Sequence, residues 1–329
     1  MLARNRGWRF LPLAALFSLL LAGCDGVLNP QGPNARDQYD LIVLSFVIMV
    51  IVMVVVYSLF FFVIIRYRKR KGQTGYPEQV EGSYKLELTW TIIPFILLIV
   101  LAVPSVMDTF VYAKDYTKDK DTMHVKVTAH QFWWEFEYPD LGIRTAQDLV
   151  IPAGKRVSLE ITSADVTHSF WIPELAGKMD ANPGLVNKMY FSADHEGVYK
   201  GKCAELCGSS HALMDFKVVA KSKADFDAWI EQLKTPASIS ADAKQGEEIF
   251  KKKQCIACHA ITPDQIGTGP NLAGFGDRQV VAGFRPHTAE WIEKWVKNPQ
   301  EVKPGTLMPN LGLTDDEAKQ VAKYLLELK

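Results

Sequence analysis

Neither sign of charge prevails in this sequence: 37 lysines and arginines stand against 37 aspartates and glutamates. A strongly basic balance would point to nucleic acid, and its absence removes that partner. Cysteine is scarce, at five residues in 329. So small and odd a number excludes a simple disulfide framework, and each cysteine needs its own account. There is no internal repeat and no low-complexity tract, which excludes solenoids and long polar spacers. The length leaves room for two or three domains. Apolar stretches are unevenly spread, crowding the first third of the chain.

That first third opens like a secretory leader. Arg4, Arg6 and Arg9 form a basic region, and residues 11–22 form an apolar run too short to span a bilayer. Leu21-Ala22-Gly23-Cys24 then resembles the lipobox of bacterial lipoproteins, in which the cysteine is lipidated. An uncleaved anchor with an incidental cysteine is the alternative. Residues 41–65 form an apolar run of 25 residues, enough for a tilted helix at ~1.5 Å per residue. A second run covers residues 90–110, where Pro94 and Pro104 are tolerable because neighbouring helices can satisfy the freed backbone groups. Between them, Arg66-Tyr67-Arg68-Lys69-Arg70-Lys71 marks a cytoplasmic loop. Everything beyond residue 113 is therefore expected on the outer face of the cell membrane.

Residues 124–219 read as short strands. His124-Val125-Lys126-Val127-Thr128 and Val157-Ser158-Leu159-Glu160-Ile161 alternate, and Pro152-Ala153-Gly154 supplies a turn. This spacing suggests a sandwich or barrel. Residues 225–234 have helical periodicity through Phe226, Trp229, Ile230 and Leu233, and residues 235–241 read as a linker. Residues 242–329 have helical ends around a loop rich in Gly and Pro. Thr314-Asp315-Asp316-Glu317 is a capping box that opens a last helix running to Leu328.

Two motifs carry chemistry. The first is Cys203-Ala204-Glu205-Leu206-Cys207-Gly208-Ser209-Ser210-His211-Ala212-Leu213-Met214. Two thiolates, an imidazole and a thioether form a soft donor set, which favours copper over hard cations. A single-copper blue site needs only one cysteine, and two thiolates can bridge two metals. His168, in Thr167-His168-Ser169-Phe170-Trp171, is the natural remote imidazole. A Cys203–Cys207 disulfide or a structural zinc site remains open, but neither uses Met214.

The second motif is Cys255-Ile256-Ala257-Cys258-His259, the spacing of c-type haem attachment. Two thioether bonds need cysteines at this distance, and His259 then sits under the iron. The sixth ligand should lie downstream. Met308, in Lys303-Pro304-Gly305-Thr306-Leu307-Met308-Pro309, is favoured over His287.

The pattern Cys-x-Glu-x-Cys-x-x-x-His-x-x-Met, preceded by His168-Ser169-Phe170-Trp171, resembles the two-copper centre of cytochrome c oxidase subunit II. The likeness covers about residues 36–220. It implies a cupredoxin-like domain in which Cys203 and Cys207 bridge the coppers and His168 and His211 are terminal ligands. Met214 and the Glu205 carbonyl would complete the two shells, and the Glu205 carboxylate would be a candidate magnesium ligand. All copper ligands of the pattern are present, whereas quinol oxidases resemble the family in fold but lack them. Glu87, just before Trp90, matches the carboxylate at the mouth of a proton pathway into the large subunit; an interfacial charge flanking a helix is the plainer reading. The segment Phe132-Trp133-Trp134 resembles the aromatic patch through which electrons enter, although the family commonly begins that run with Trp. Those rings can equally fill a β-domain core. Gly269-Pro270-Asn271-Leu272 and the Met308 loop resemble small class I cytochromes c.

The expected architecture is multi-domain: a two-helix transmembrane hairpin, a cupredoxin-like all-β domain and a C-terminal all-α class I cytochrome c domain. The boundaries would be 1–23 for the leader, 24–113 for the N-terminal segment and hairpin, 114–234 for the two-copper domain, 235–241 for the linker and 242–329 for the cytochrome. The resemblance implies an electron relay carrying two coppers and haem c. Its partners would be the large oxidase subunit, further oxidase subunits, and cytochrome c or another donor. Another copper reductase and a copper-delivery lipoprotein are the rival readings.

Overall fold

The computed structural model describes residues 26–76 and 78–329. The leader and Cys24 lie outside them. The chain forms two compact units, Asp37–Ala113 and the remainder.

Helix α1 (Pro33–Tyr67) starts eight residues before the apolar run because tertiary contacts hold its polar end. Pro33 opens it, at a position where a missing N–H removes no intrahelical bond. Asn34 Nδ2 donates to the Tyr190 carbonyl at 2.9 Å, and Arg36 pairs with Asp194 at 2.6 Å. Helix α2 (Tyr84–Tyr112) contains Pro94 and Pro104 and places Glu87 in its first turn. Both helices are long and apolar enough to cross a membrane. Within the hairpin, Tyr112 Oη donates to Asp37 Oδ2 at 2.7 Å. Helix α2 buries no residue, and an apolar surface of that size calls for lipid or protein neighbours.

The second unit begins with ten strands in two mixed sheets. They are β1 (Met123–His130), β2 (Trp133–Tyr138), β3 (Ile143–Ala146), β4 (Asp148–Pro152), β5 (Val157–Ser163), β6 (His168–Trp171), β7 (Met179–Ala181), β8 (Asn187–Phe191), β9 (Gly197–Cys203) and β10 (Asp215–Lys221). One sheet runs β3-β2-β1-β5-β8 and the other β4-β10-β9-β6-β7. Alternation does the local work: in β1 it sends Val125, Val127 and Ala129 inward. Their common core is aromatic, with Phe170 stacked on Phe216 at 4.5 Å and Trp134 edge-on to Phe170 at 5.3 Å.

Helix α3 (Lys223–Lys234) starts two residues earlier than its periodicity implies, because Ser222 caps it by accepting from Asp225 N–H at 3.0 Å. Phe226, Ile230 and Leu233 drop into the β core, each stabilising it by roughly 1.5–3 kcal/mol. Residues 235–240 carry no regular element, yet Ala237 and Ile239 pack on the next core. Ser240 N–H and Oγ both donate to the Glu327 carboxylate, at 2.7 and 2.6 Å.

The C-terminal part is helical: α4 (Lys244–Lys252), α5 (Ala289–Lys297), α6 (Pro299–Val302) and α7 (Asp315–Leu326). Val280–Val281 and Arg285–Pro286 pair as a two-residue ribbon. The capping box is formed as the sequence implies, with Thr314 and Glu317 bonding each other's backbone. Helix α7 stops two residues before the expected Leu328. Phe250, Ile292, Val321 and Tyr324 share one core.

Candidate functional site

The first candidate centre lies where β9 leaves the sheet. Ladder pairing sets Phe170 opposite Cys203, so the β6–β9 register brings His168 close to the cysteine loop. Cys203 N–H donates to the Met214 carbonyl at 3.0 Å, closing residues 204–213 into a loop that returns directly to β10. Cys203 Sγ lies 3.8 Å from Cys207 Sγ and 3.8 Å from His168 Nδ1. Cys207 Sγ lies 3.6 Å from His211 Nδ1 and 3.8 Å from Met214 Sδ. The Glu205 carbonyl oxygen is 3.2 Å from Cys203 Sγ. All six sequence-nominated residues are therefore brought together. The two sulfurs are free thiols, far outside the ~2.05 Å of a disulfide bond.

Burial, reinforced by the neighbouring Cys203, pushes the Cys207 thiol well above its ordinary value. Burial also lowers His168, so its imidazole stands neutral and able to donate a lone pair. Asp165 orients that ring: its Oδ1 sits 2.8 Å from His168 Nε2, which turns Nδ1 toward the sulfur. Burial alone would raise the Asp165 carboxyl, but bonds from His168, Gln131 N–H and Val166 N–H hold it low. Two thiols, two imidazoles and a thioether gathered within contact distance form a donor set that fits soft metal ions.

The second candidate centre is a cavity lined by Cys258, His259, Gly269, Pro270, Leu272 and Met308 on its helical side. Gln254, in a left-handed conformation, ends α4 and turns the chain into a 3₁₀ turn, Cys255–Ala257. His259 Nδ1 donates to the Pro270 carbonyl at 2.8 Å, which leaves Nε2 free toward the cavity. Burial lowers His259 as well, favouring the neutral, ligating form. A side chain at Gly269 would meet the imidazole Cε1 at 2.9 Å, so only glycine leaves the ring its place. Met308 lines the cavity and His287 does not. His287 lies against Phe275 instead, ring centroids 5.1 Å apart, and among the described residues its Nε2 has no partner.

The two centres meet. The same cavity is lined on its other side by His130, Gln131, Phe132 and Trp133 of the β domain. Gln131 Nε2 donates to the Cys207 carbonyl at 2.6 Å, tying this segment to the cysteine loop. Of the three aromatic candidates, Trp134 is a core residue, Phe132 is 3% exposed, and half-buried Trp133 stacks on His130 at 4.1 Å. From the helical side, Lys303 Nζ donates to the Phe132 carbonyl at 2.6 Å and to the Ala282 carbonyl at 2.7 Å. Burial pulls Lys303 down to about 7. Ser209 and Ser210 hydroxyls both donate to the Pro304 carbonyl, at 2.9 and 2.6 Å.

The structure adds Asp165, His130, Gln131, Ser209, Ser210 and Lys303, none of which a sequence motif singles out. Asp165, three residues before His168, was in principle visible as a carboxylate–imidazole spacing. Lys303 had no such signal, because only tertiary packing buries it. Glu205 turns its carboxylate outward, 4.0 Å from Lys178, while Leu206 beside it is 78% exposed.

Three family models match: cytochrome c oxidase subunit II, transmembrane domain, over residues 29–107; its periplasmic domain, over 141–222; and cytochrome c, over 243–329. Cytochrome c oxidase subunit 2 of Alkalihalophilus pseudofirmus is 43% identical, covering 98% of this chain and 97% of that protein. Its counterpart in Bacillus sp. strain PS3 is 47% identical and covers 99% of each. Quinol oxidase subunit 2 of Bacillus cereus is 38% identical over 72% of this chain and 83% of its own length.

Proposed function

We propose a division of labour among the residues of this chain, which belongs to the cytochrome c oxidase subunit II family. Membership makes it an electron-transfer subunit, in a membrane, in complex with other oxidase subunits. One domain is of the copper-bearing kind and the other of the haem-bearing kind. When bound, copper and haem would supply reversible one-electron chemistry, and the two domains of this chain would place the haem on the donor side and the copper pair on the side of the large subunit.

Within that frame Cys203, Cys207, His168, His211, Met214 and the Glu205 carbonyl would hold the coppers, the sulfurs and imidazoles supplying the soft donors that copper favours. The observation that carries this is the unbroken run of contacts at 3.2–3.8 Å from His168 through both sulfurs to His211 and Met214. Asp165 holds His168 in its ligating orientation, and Gln131 fixes the loop carbonyl between the cysteines and the aromatic segment. Cys255 and Cys258 would hold haem c covalently and His259 and Met308 would supply its remaining protein donors; the cavity position of Met308 supports it over His287. Both globular domains lie on the outer face, in keeping with the basic loop at residues 66–71. The Glu205 carboxylate serves magnesium at the contact with the large subunit, and Glu87 the mouth of a proton path. Cys24 carries a lipid. Cytochrome c or another external donor reduces the haem.

The test is an assembled oxidase whose subunit ends after Lys234. It should keep its copper signature and lose most donor-driven oxygen consumption. Near-normal turnover at low donor concentration would mean that electrons enter the β domain directly, and the haem would lose its place at the entrance.

A further inference from the structure

Lys303 is the most unusual side chain outside the two centres. Its exposure is 2%, and lysine is almost never buried so completely without a compensating role. Taking an amine out of water is unfavourable unless its donors are satisfied. Here two of its N–H donors are met by one acceptor from each domain, the Ala282 carbonyl of the cytochrome and the Phe132 carbonyl of the β domain. An apolar side chain of the same length would serve the helical core alone with less desolvation. The amine is called for where carbonyls from both domains, those of Ala282 and Phe132, are met at once.

The two residues that follow point the same way. The Pro304 carbonyl accepts from both serines of the cysteine loop, each within three residues of Cys207. Gly305 sits at φ +78°, and a side chain there would meet Ser209 Oγ at 2.2 Å. Only glycine combines that backbone with so close an approach. Three consecutive residues thus make three different contacts with the other domain, and Met308 lies three residues further on.

We infer that Lys303, Pro304 and Gly305 form a docking latch that holds the Met308 loop on the cysteine loop and sets the geometry of electron transfer between the two centres. Lys303 is a positioning residue, acting through the Phe132 carbonyl and the turn it anchors. The latch covers Phe132, so a foreign protein cannot reach that ring while the domains are docked. Residues 235–240 then serve as a pinned connection rather than a free tether, consistent with the Ser240–Glu327 bonds. This inference rests on the haem being the electron entrance.

The experiment uses the assembled oxidase carrying Lys303→Met, and separately Ser209→Ala with Ser210→Ala. Removing such hydrogen bonds should raise the undocked population roughly tenfold. Haem and copper spectra should keep their positions, and the donor should reduce the haem at the normal rate with unchanged KM. Haem-to-copper transfer should slow, turnover number should fall, and proteolysis within residues 235–240 should accelerate in proportion. Native transfer and proteolysis rates in both variants would overturn the latch. If Lys303→Met loses its haem, the double serine variant decides alone, since it leaves the cytochrome sequence intact. Copper reduced ahead of haem in the unaltered protein would instead overturn the entrance reading, and the proteolysis rates would still judge the latch.

Discussion

The cysteine loop and the haem cavity are built on opposite plans. In the first, His168, Cys203, Cys207 and Met214 are each at most 8% exposed and are gripped by ladder bonds at both ends of the loop. In the second, Cys258 is exposed, Met308 is half-buried on a stretch without regular structure, and one wall is borrowed from the other domain. A β scaffold can assemble metal donors before any metal arrives, because the strands that carry them already share a core. The helical domain instead sets its candidate haem ligands on loops around a cavity, so a cofactor held there would be part of its packing.

That contrast is broken most severely by removing each anchor in turn. Cys207→Ser should abolish the copper signature while leaving haem c attached and the β domain folded, as read by absorption spectra and thermal melting. Replacing Cys255 and Cys258 together by alanine should do more than remove haem. Hydrogen exchange across residues 242–329 should lose most of its protection, while β1 and β10 keep theirs. Equal protection in both domains after haem loss would erase the distinction.

A smaller effect tests how rigid the β plan is. A side chain at Gly201 would meet the Phe216 ring at 2.2 Å, and that ring stacks on Phe170, the ladder partner of Cys203. Gly201→Ala should therefore destabilise the domain by about 1–3 kcal/mol through overpacking. Its melting temperature should fall and the copper absorption should shift, since the displaced rings sit behind the cysteine.

The smallest effect concerns the seam between the regions. Asp148 accepts from Gln279 N–H at 2.8 Å, and burial pushes its carboxyl up to about 6 despite that bond and the charges of Arg278 and Lys217. The protonated acid is favoured in the fold. Its contribution is fully present below the unfolded value of 3.8 and is lost as pH rises through about 6. Asp148→Asn should flatten this part of the stability–pH curve by on the order of 1 kcal/mol in denaturant titrations. An unchanged slope would mean that the carboxyl is not desolvated at the seam.

Legibility followed the same divide. The candidate copper donors stand out in the sequence because five of the six lie within twelve residues, and their chemistry is unusual whatever the fold. The candidate haem anchors stand out for the same reason, and the Thr314 capping box, which is formed, could be read because caps are local. What escaped was set by distance in space. Helix α1 begins at Pro33 because Asn34 and Arg36 find partners more than 150 residues away. Asp165 matters only once β6 turns His168 inward. Lys303 looks like a surface lysine until Phe132 is placed over it.

In the proposed route, electrons enter at the haem and cross the seam at residues 303–305 to the cysteine loop. Rapid mixing of the oxidised complex with limiting donor, following both absorption bands, tests it most directly. Haem should be reduced first, at a rate proportional to donor concentration, and copper should follow at a rate independent of it. Copper reduction that itself rises with donor concentration, with haem lagging behind, would contradict the account.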